Sequence, residues 1–187
     1  MSFGRSSKPK PALPYEELLD LAVKSLASKM KSERDLRRKI AERAEDGEAV
    51  DRVMAKLKEL GYLSDERFAA EYTRSRQENE KFGRRRVQQG LMQKGIATPV
   101  ASAALATAYD DVDEAALARA YVERKRMKAP SGDREQKQKE TAKIMRRLMA
   151  AGFSTRAVWK VLREWGGSDV EEVEIVEDEI GGSGEAI

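Results

Sequence analysis

Val50-Asp51-Arg52-Val53-Met54-Ala55-Lys56-Leu57-Lys58-Glu59-Leu60-Gly61 reads as one amphipathic helix followed by its stop signal. Val50, Val53, Met54, Leu57 and Leu60 recur at helical spacing, so they form one apolar face that is expected to be buried. Gly61 stands where a helix ends on a left-handed residue, a conformation glycine enters without steric cost. The same stripe returns twice. Ile40, Val50, Val53 and Met54 match Leu91, Ala101, Ala104 and Leu105 at an offset of 51 residues, then Leu148, Val158, Val161 and Leu162 a further 57 on. Leu36, Val87 and Ile144 share that register. The preceding helices align as well: Phe68, Ala69 and Tyr72 correspond to Leu117, Ala118 and Tyr121 at an offset of 49. The mismatch of eight residues places an insertion near Ala129 to Gln136, around Pro130-Ser131-Gly132-Asp133.

A further stripe, Tyr15, Leu18, Leu19, Ala22 and Leu26, opens the series. Start signals accompany the stripes: Ser32 with Asp35, Ser64 before Asp65 and Glu66, Thr98 before Pro99, Asp111 with Glu114, and Ser154 after Gly152. After Pro14 only Pro99 and Pro130 remain, as in a helical chain. The fold is therefore expected to be all-α, with three tandem three-helix repeats forming an elongated, curved array. Such units stack because each buries too little alone. The repeats are expected at 15–63, 64–110 and 111–166. They are flanked by a basic Pro/Lys-rich segment, 1–14, and an acidic tail, 167–187, both expected to be disordered.

The chain has 187 residues, with 36 Lys+Arg against 33 Asp+Glu, and neither Cys nor His. Without those two residue types there is no disulfide framework, no Cys/His zinc site and no Ser-His-Asp or Cys-His triad. No apolar run reaches the ~18 residues of a membrane helix, and no secretory h-region follows the N-terminus, so a cytoplasmic protein is expected. The net charge of +3 hides a segregation. The tail holds eight acids and no base, so the first 166 residues carry +11. Within that body, residues 29–43 sum to +4, 74–94 to +5 and 119–147 to +7, while 44–66 and 95–118 each sum to −4. Basic blocks in register predict a continuous basic ridge and an anionic partner. A solvated surface accounts for any single block.

No catalytic, cofactor or metal site is expected. Gly90 to Gly95 has the glycine spacing of a phosphate loop but lacks the following Lys-Ser/Thr. Tyr62, Tyr72 and Tyr121 are candidates for base stacking, although core packing is the better reading for Tyr72 and Tyr121. Trp165 extends the last buried stripe, whereas Trp159 falls off it. Arg84-Arg85-Arg86 after Gly83, backed by Lys81 and Lys94, is the densest basic cluster. Three arginines at a helix start oppose the helix dipole, and such a cost without local compensation points to an external anion. Arg124, Lys125, Arg126 and Lys128 end a helix, where the dipole favours cations. With Lys137, Lys139 and Lys143 these are the candidate filament or phosphate contacts.

Gly61-Tyr62-Leu63-Ser64-Asp65-Glu66-Arg67-Phe68-Ala69 resembles the most recognisable segment of the RecX family, bacterial regulators of RecA. Gly83-Arg84-Arg85-Arg86-Val87, with Leu91 and Lys94-Gly95-Ile96, is similar to that family's second signature. The resemblance covers about residues 15 to 166 and leaves both termini outside it. It implies a non-enzymatic, monomeric modulator in DNA repair that binds the RecA nucleoprotein filament and mostly inhibits its growth, ATPase and recombinase activity. The basic ridge would then face filament protein or single- or double-stranded DNA. The alternative is a helical module that binds nucleic acid without sequence preference and without RecA. The acidic tail is expected to screen the ridge or, if Val170, Val173, Val176 and Ile180 form a helix, to dock on a partner.

Overall fold

The computed structural model describes residues 11–166, and the expectations for the acidic tail and for residues 1–10 lie outside the described residues. The described residues form α1 (Tyr15–Ser28), α2 (Glu33–Ala41), α3 (Gly47–Glu59), α4 (Asp65–Glu78), α5 (Arg84–Gln93), α6 (Thr98–Tyr109), α7 (Glu114–Arg124), α8 (Arg134–Ala150) and α9 (Thr155–Gly166), with no strand among them. Helices pack chiefly within successive threes, and each three closes over its own core.

The predicted stripes are the cores. Leu36, Ile40, Val53 and Leu57 are fully buried in the first unit, Val87 and Leu91 in the second, and Leu148, Val158, Val161 and Leu162 in the third. Burying side chains of this size contributes about 1.5–3 kcal/mol each before conformational entropy is charged against it. The register also extends to the first helices. Leu18 and Ala22 of α1 lie 51 residues before Ala69 and Thr73 of α4, and all four are buried.

Three turns share one geometry. Gly61 N–H donates to Lys58 O and Tyr62 N–H to Leu57 O, both at 2.9 Å, which is the double hydrogen bond that closes a helix around a left-handed residue. Gly95 and Gly152 repeat it at the ends of α5 and α8, and the three glycines have φ of 69°, 77° and 94°. At the end of α7, Arg126 takes this position with φ 49°, at a cost of roughly 1–2 kcal/mol for a residue with a Cβ.

Several boundaries differ from the sequence reading. Leu60, expected on the buried stripe, is 50% exposed because it is the C-cap of α3, where the chain is already leaving the helix. The cap of α7 is Asp113 rather than Asp111, its carboxylate accepting from Ala115 and Ala116 N–H. Ala97 rather than Thr98 precedes α6, so Pro99 falls at the second helical position. Asp46 and Asp133 cap α3 and α8, two starts the sequence reading did not single out. The insertion in the third unit does not simply lengthen a loop. Relative to α5, it adds two exposed turns to the front of α8. Trp159, off the stripe, covers the third core half-buried, and Trp165 is half-buried against the same core. At the other end, Leu13 packs on the first core and its N–H donates to Arg43 O at 2.7 Å, so residues 11–14 are tied to the first unit.

Candidate anion-binding interface

The second helix of each unit carries the basic block, and the structure joins these helices end to end. At the junction of units two and three, α5 begins at Gly83, which offers no side-chain cap. Its donors are met by the carbonyls that end α8: Gly83 N–H donates to Ala151 O (2.9 Å) and Arg85 N–H to Gly152 O (3.4 Å). The approach requires glycine on both sides. A Cβ on Gly83 would lie 2.8 Å from Phe153 N and closer still to the Gly152 carbonyl. A Cβ on Gly152 would lie 2.6 Å from Arg86 Cβ and 2.7 Å from Gly83 O.

The junction of units one and two repeats the arrangement with side chains in place of backbone. Lys94, the C-cap of α5, pairs with Asp35 in the first turn of α2 at 2.6 Å, and Arg34 donates to the carbonyl of Gln93. Burial raises the Asp35 pKa, but Lys94, Arg38 and Arg34 outweigh it and hold this carboxyl below its usual range. Asp65, from the start of α4, caps α2 by accepting from Glu33 N–H at 2.8 Å. Negative helix ends therefore meet positive ones twice along the chain, a favourable alignment of dipoles.

The α5 N-terminus, where the arginine cluster sits, has local compensation after all in the α8 carbonyls, so the dipole cost does not by itself require an external anion. Arg84, Arg85 and Arg86 are nonetheless exposed and have no carboxylate partner among the described residues; only Arg86 has a further contact, its guanidinium 6.0 Å from the Phe82 ring centre. The other candidates divide. Lys94 is a strut between units, as is Arg124, which pairs with Glu80 across the second junction at 3.1 Å. Lys139 pairs with Glu135 one turn away. Lys125 lies half-buried over the Tyr121 ring, and Lys81 is half-buried with φ 56°. Arg126, Lys128, Lys137 and Lys143 are exposed without a carboxylate partner among the described residues.

Arg84, Arg85 and Arg86 sit where the last turn of α8 arrives, and that turn carries Arg147, an exposed residue the sequence reading did not select. Its block membership and its place at a helix end were the available signals. Lys137 is not brought there. It lies 15 residues before Gly152, roughly 22 Å along the helix at 1.5 Å per residue. In the first unit Arg37 pairs with Asp51 and Arg38 with Asp35, while Lys29 and Lys39 are exposed without a carboxylate partner among the described residues. Cations without a carboxylate partner among the described residues therefore occur in all three units. Among the described residues, no group of three or more Asp or Glu is placed to hold a metal ion, and no helix is long and apolar enough to cross a membrane.

Residues 64–105, which run from the cap of α4 through most of α6, match the family model described as "RecX, second three-helix domain". Regulatory protein RecX of Escherichia coli strain SE11 is 39% identical over 130 residues, covering 64% of this chain and 75% of that protein. The chain belongs to the RecX family. RecX of E. coli strain K12 / DH10B is 38% identical over the same length. Two solved RecX structures share the fold. The crystal structure from Lactobacillus salivarius has a TM-score of 0.61 at 19% identity and covers 81% of this chain and 96% of its own. A second regulatory protein RecX has a TM-score of 0.61 at 24% identity, covering 80% and 71%. The two segments that carry the resemblance lie at structural joints: 61–69 spans the first turn into α4, and 83–96 is α5 with the contacts at both of its ends.

Proposed function

We propose that this RecX family member binds the RecA nucleoprotein filament and modulates its growth, ATPase and recombinase activity, mostly by inhibition. Its 39% identity over 130 residues to a curated regulatory protein RecX carries the reading. It acts as a binding module without chemistry of its own. Unpaired cations on α5, on α8 and in the connection between α7 and α8 supply many weak contacts rather than one deep pocket, and linked contacts reinforce one another through effective concentration. Arg84, Arg85 and Arg86 lead, followed by Arg126, Lys128, Lys137 and Lys143. Lys94 and Arg124 serve mainly to fix one unit against the next.

The test is RecA ATPase on single-stranded DNA with the protein added well below RecA stoichiometry. Strong inhibition is expected. Inhibition that appears only when the protein saturates the DNA would favour the second reading, a nucleic-acid module that acts without RecA, which the unpaired arginines also allow. A further prediction concerns the arginines. Replacing Arg84, Arg85 and Arg86 together with Ala should leave the helical content intact and weaken binding. The salt slope for single strands should flatten by about 0.7 for each phosphate no longer bound. An unchanged affinity and slope would make them solubilising residues only.

A further inference from the structure

The three glycine-ended turns differ in one respect. The residue after the glycine ordinarily packs back on the helix it has just left. Ile96 and Phe153 do so at the ends of α5 and α8, 4% and 0% exposed, but Tyr62 is 60% exposed. Leu63 enters the first core in its place. Tyr62 instead lines a recess of about 210 Å³ together with Leu26, Met30, Lys31, Gly61, Ser64 and Arg67. Tyr62, Gly61, Ser64 and Arg67 all come from the 61–69 segment.

The recess is apolar on its walls and cationic at its edge. Arg67 donates to Gly61 O and has no carboxylate partner among the described residues. Neither has Lys31, whose ammonium group reaches only Lys29 O at 3.4 Å. Burial, together with the charges of Lys39, Lys29 and Lys94, holds Lys31 below the ordinary lysine range, and of its neighbours only Asp35 opposes that shift. Asp35 is already shared between Lys94 and Arg38. Glu66, between the lining residues Ser64 and Arg67 in sequence, accepts from Ser64 Oγ at 2.8 Å. A free aromatic face beside two unpaired cations is the combination that holds single strands, stacking for the base and charge for the phosphate. The volume is below that of a pocket for a drug-sized molecule and suits one planar ring.

We propose that the Tyr62 recess is a nucleotide subsite, in which one base of a single-stranded nucleic acid stacks on Tyr62 while Lys31 and Arg67 take its flanking phosphate. The site uses residues other than the Arg84 to Arg86 cluster and the α8 cations and does not require RecA. Its test uses the full chain and two fluorescein-labelled probes of equal length, an oligo(dT) of about a dozen nucleotides and its abasic counterpart, read by anisotropy. Tyr62→Ala should weaken oligo(dT) binding about five- to a hundredfold and leave the abasic probe unaffected, while Tyr62→Phe binds like the parent. Lys31→Gln should lower the salt slope by about 0.7 on both probes. Because Tyr62 is exposed, the variants should keep the parent's circular dichroism. Equal losses on both probes, or no loss on oligo(dT), would overturn the proposal. Lost RecA ATPase inhibition with unchanged oligo(dT) binding would also overturn it, making the recess an anchor for a protein side chain. Full ATPase inhibition by a variant that binds oligo(dT) like the parent would remove this subsite while leaving the filament reading in place.

Discussion

Gly152→Ala is expected to destabilise the third unit by about 2–5 kcal/mol, and Gly61→Ala to destabilise the first by only about 1–2 kcal/mol. Both glycines end a helix at positive φ, so both substitutions carry the left-handed penalty of roughly 1–2 kcal/mol. They differ in their surroundings. Nothing lies within 4 Å of a Cβ at Gly61, whereas one at Gly152 meets the backbone of Arg86 and Gly83. Backbone cannot rotate aside as a long side chain can, and overpacking of this kind typically adds about 1–3 kcal/mol. The two tryptophans provide the reporter, since Trp159 and Trp165 both lie on α9. In urea, the tryptophan transition of Gly152→Ala should move to lower denaturant than that of Gly61→Ala. Equal midpoints for the two variants would mean that the contact between Gly152 and Gly83 does not hold the units together.

Leu57→Ala should cost about 2–5 kcal/mol, as the removal of a fully buried leucine does. Its neighbours in the first core come from all three helices, among them Leu18, Leu36, Ile40, Val53 and Leu63, so partial collapse has to move several elements at once. In a repeat chain the loss is felt first in the unit that carries it. Helical circular dichroism should therefore begin to fall at lower urea, while the tryptophan signal from the third unit holds to a higher concentration. A variant as stable as the parent would contradict the burial of Leu57. A single shared transition for both signals would show that the helix-end junctions couple the three units more strongly than nearest-neighbour packing implies.

How far the sequence reached depends on the range of the interaction involved. Periodicity and the turn glycine are local, so the three cores, the role of Gly61 and the repeat from Leu36 to Leu162 were legible in the chain alone. Membership of the RecX family was legible in two short segments. Errors of one or two residues at Leu60, Thr98 and Asp111 arose because several neighbouring residues are adequate caps and only the backbone path selects one. The insertion was located but its conformation was not: Asp133 caps a helix that runs on through Lys137 and Lys139.

The charge pattern marks the limit. By itself the sequence determined that basic residues recur once per unit on the second helix, since composition and register are one-dimensional properties. Which of those cations remain free was decided only by the tertiary structure, because an ion pair depends on what lies opposite in space. Lys94 meets Asp35 from 59 residues away and Arg124 meets Glu80 from 44 away, while Arg84 to Arg86 meet no carboxylate among the described residues. The same holds for Gly83 and Gly152, whose identities make sense only where two backbones touch. It holds too for Tyr62, which the turn motif alone would have buried like Ile96 and Phe153, and which Leu63 displaces from the first core to leave its ring facing solvent.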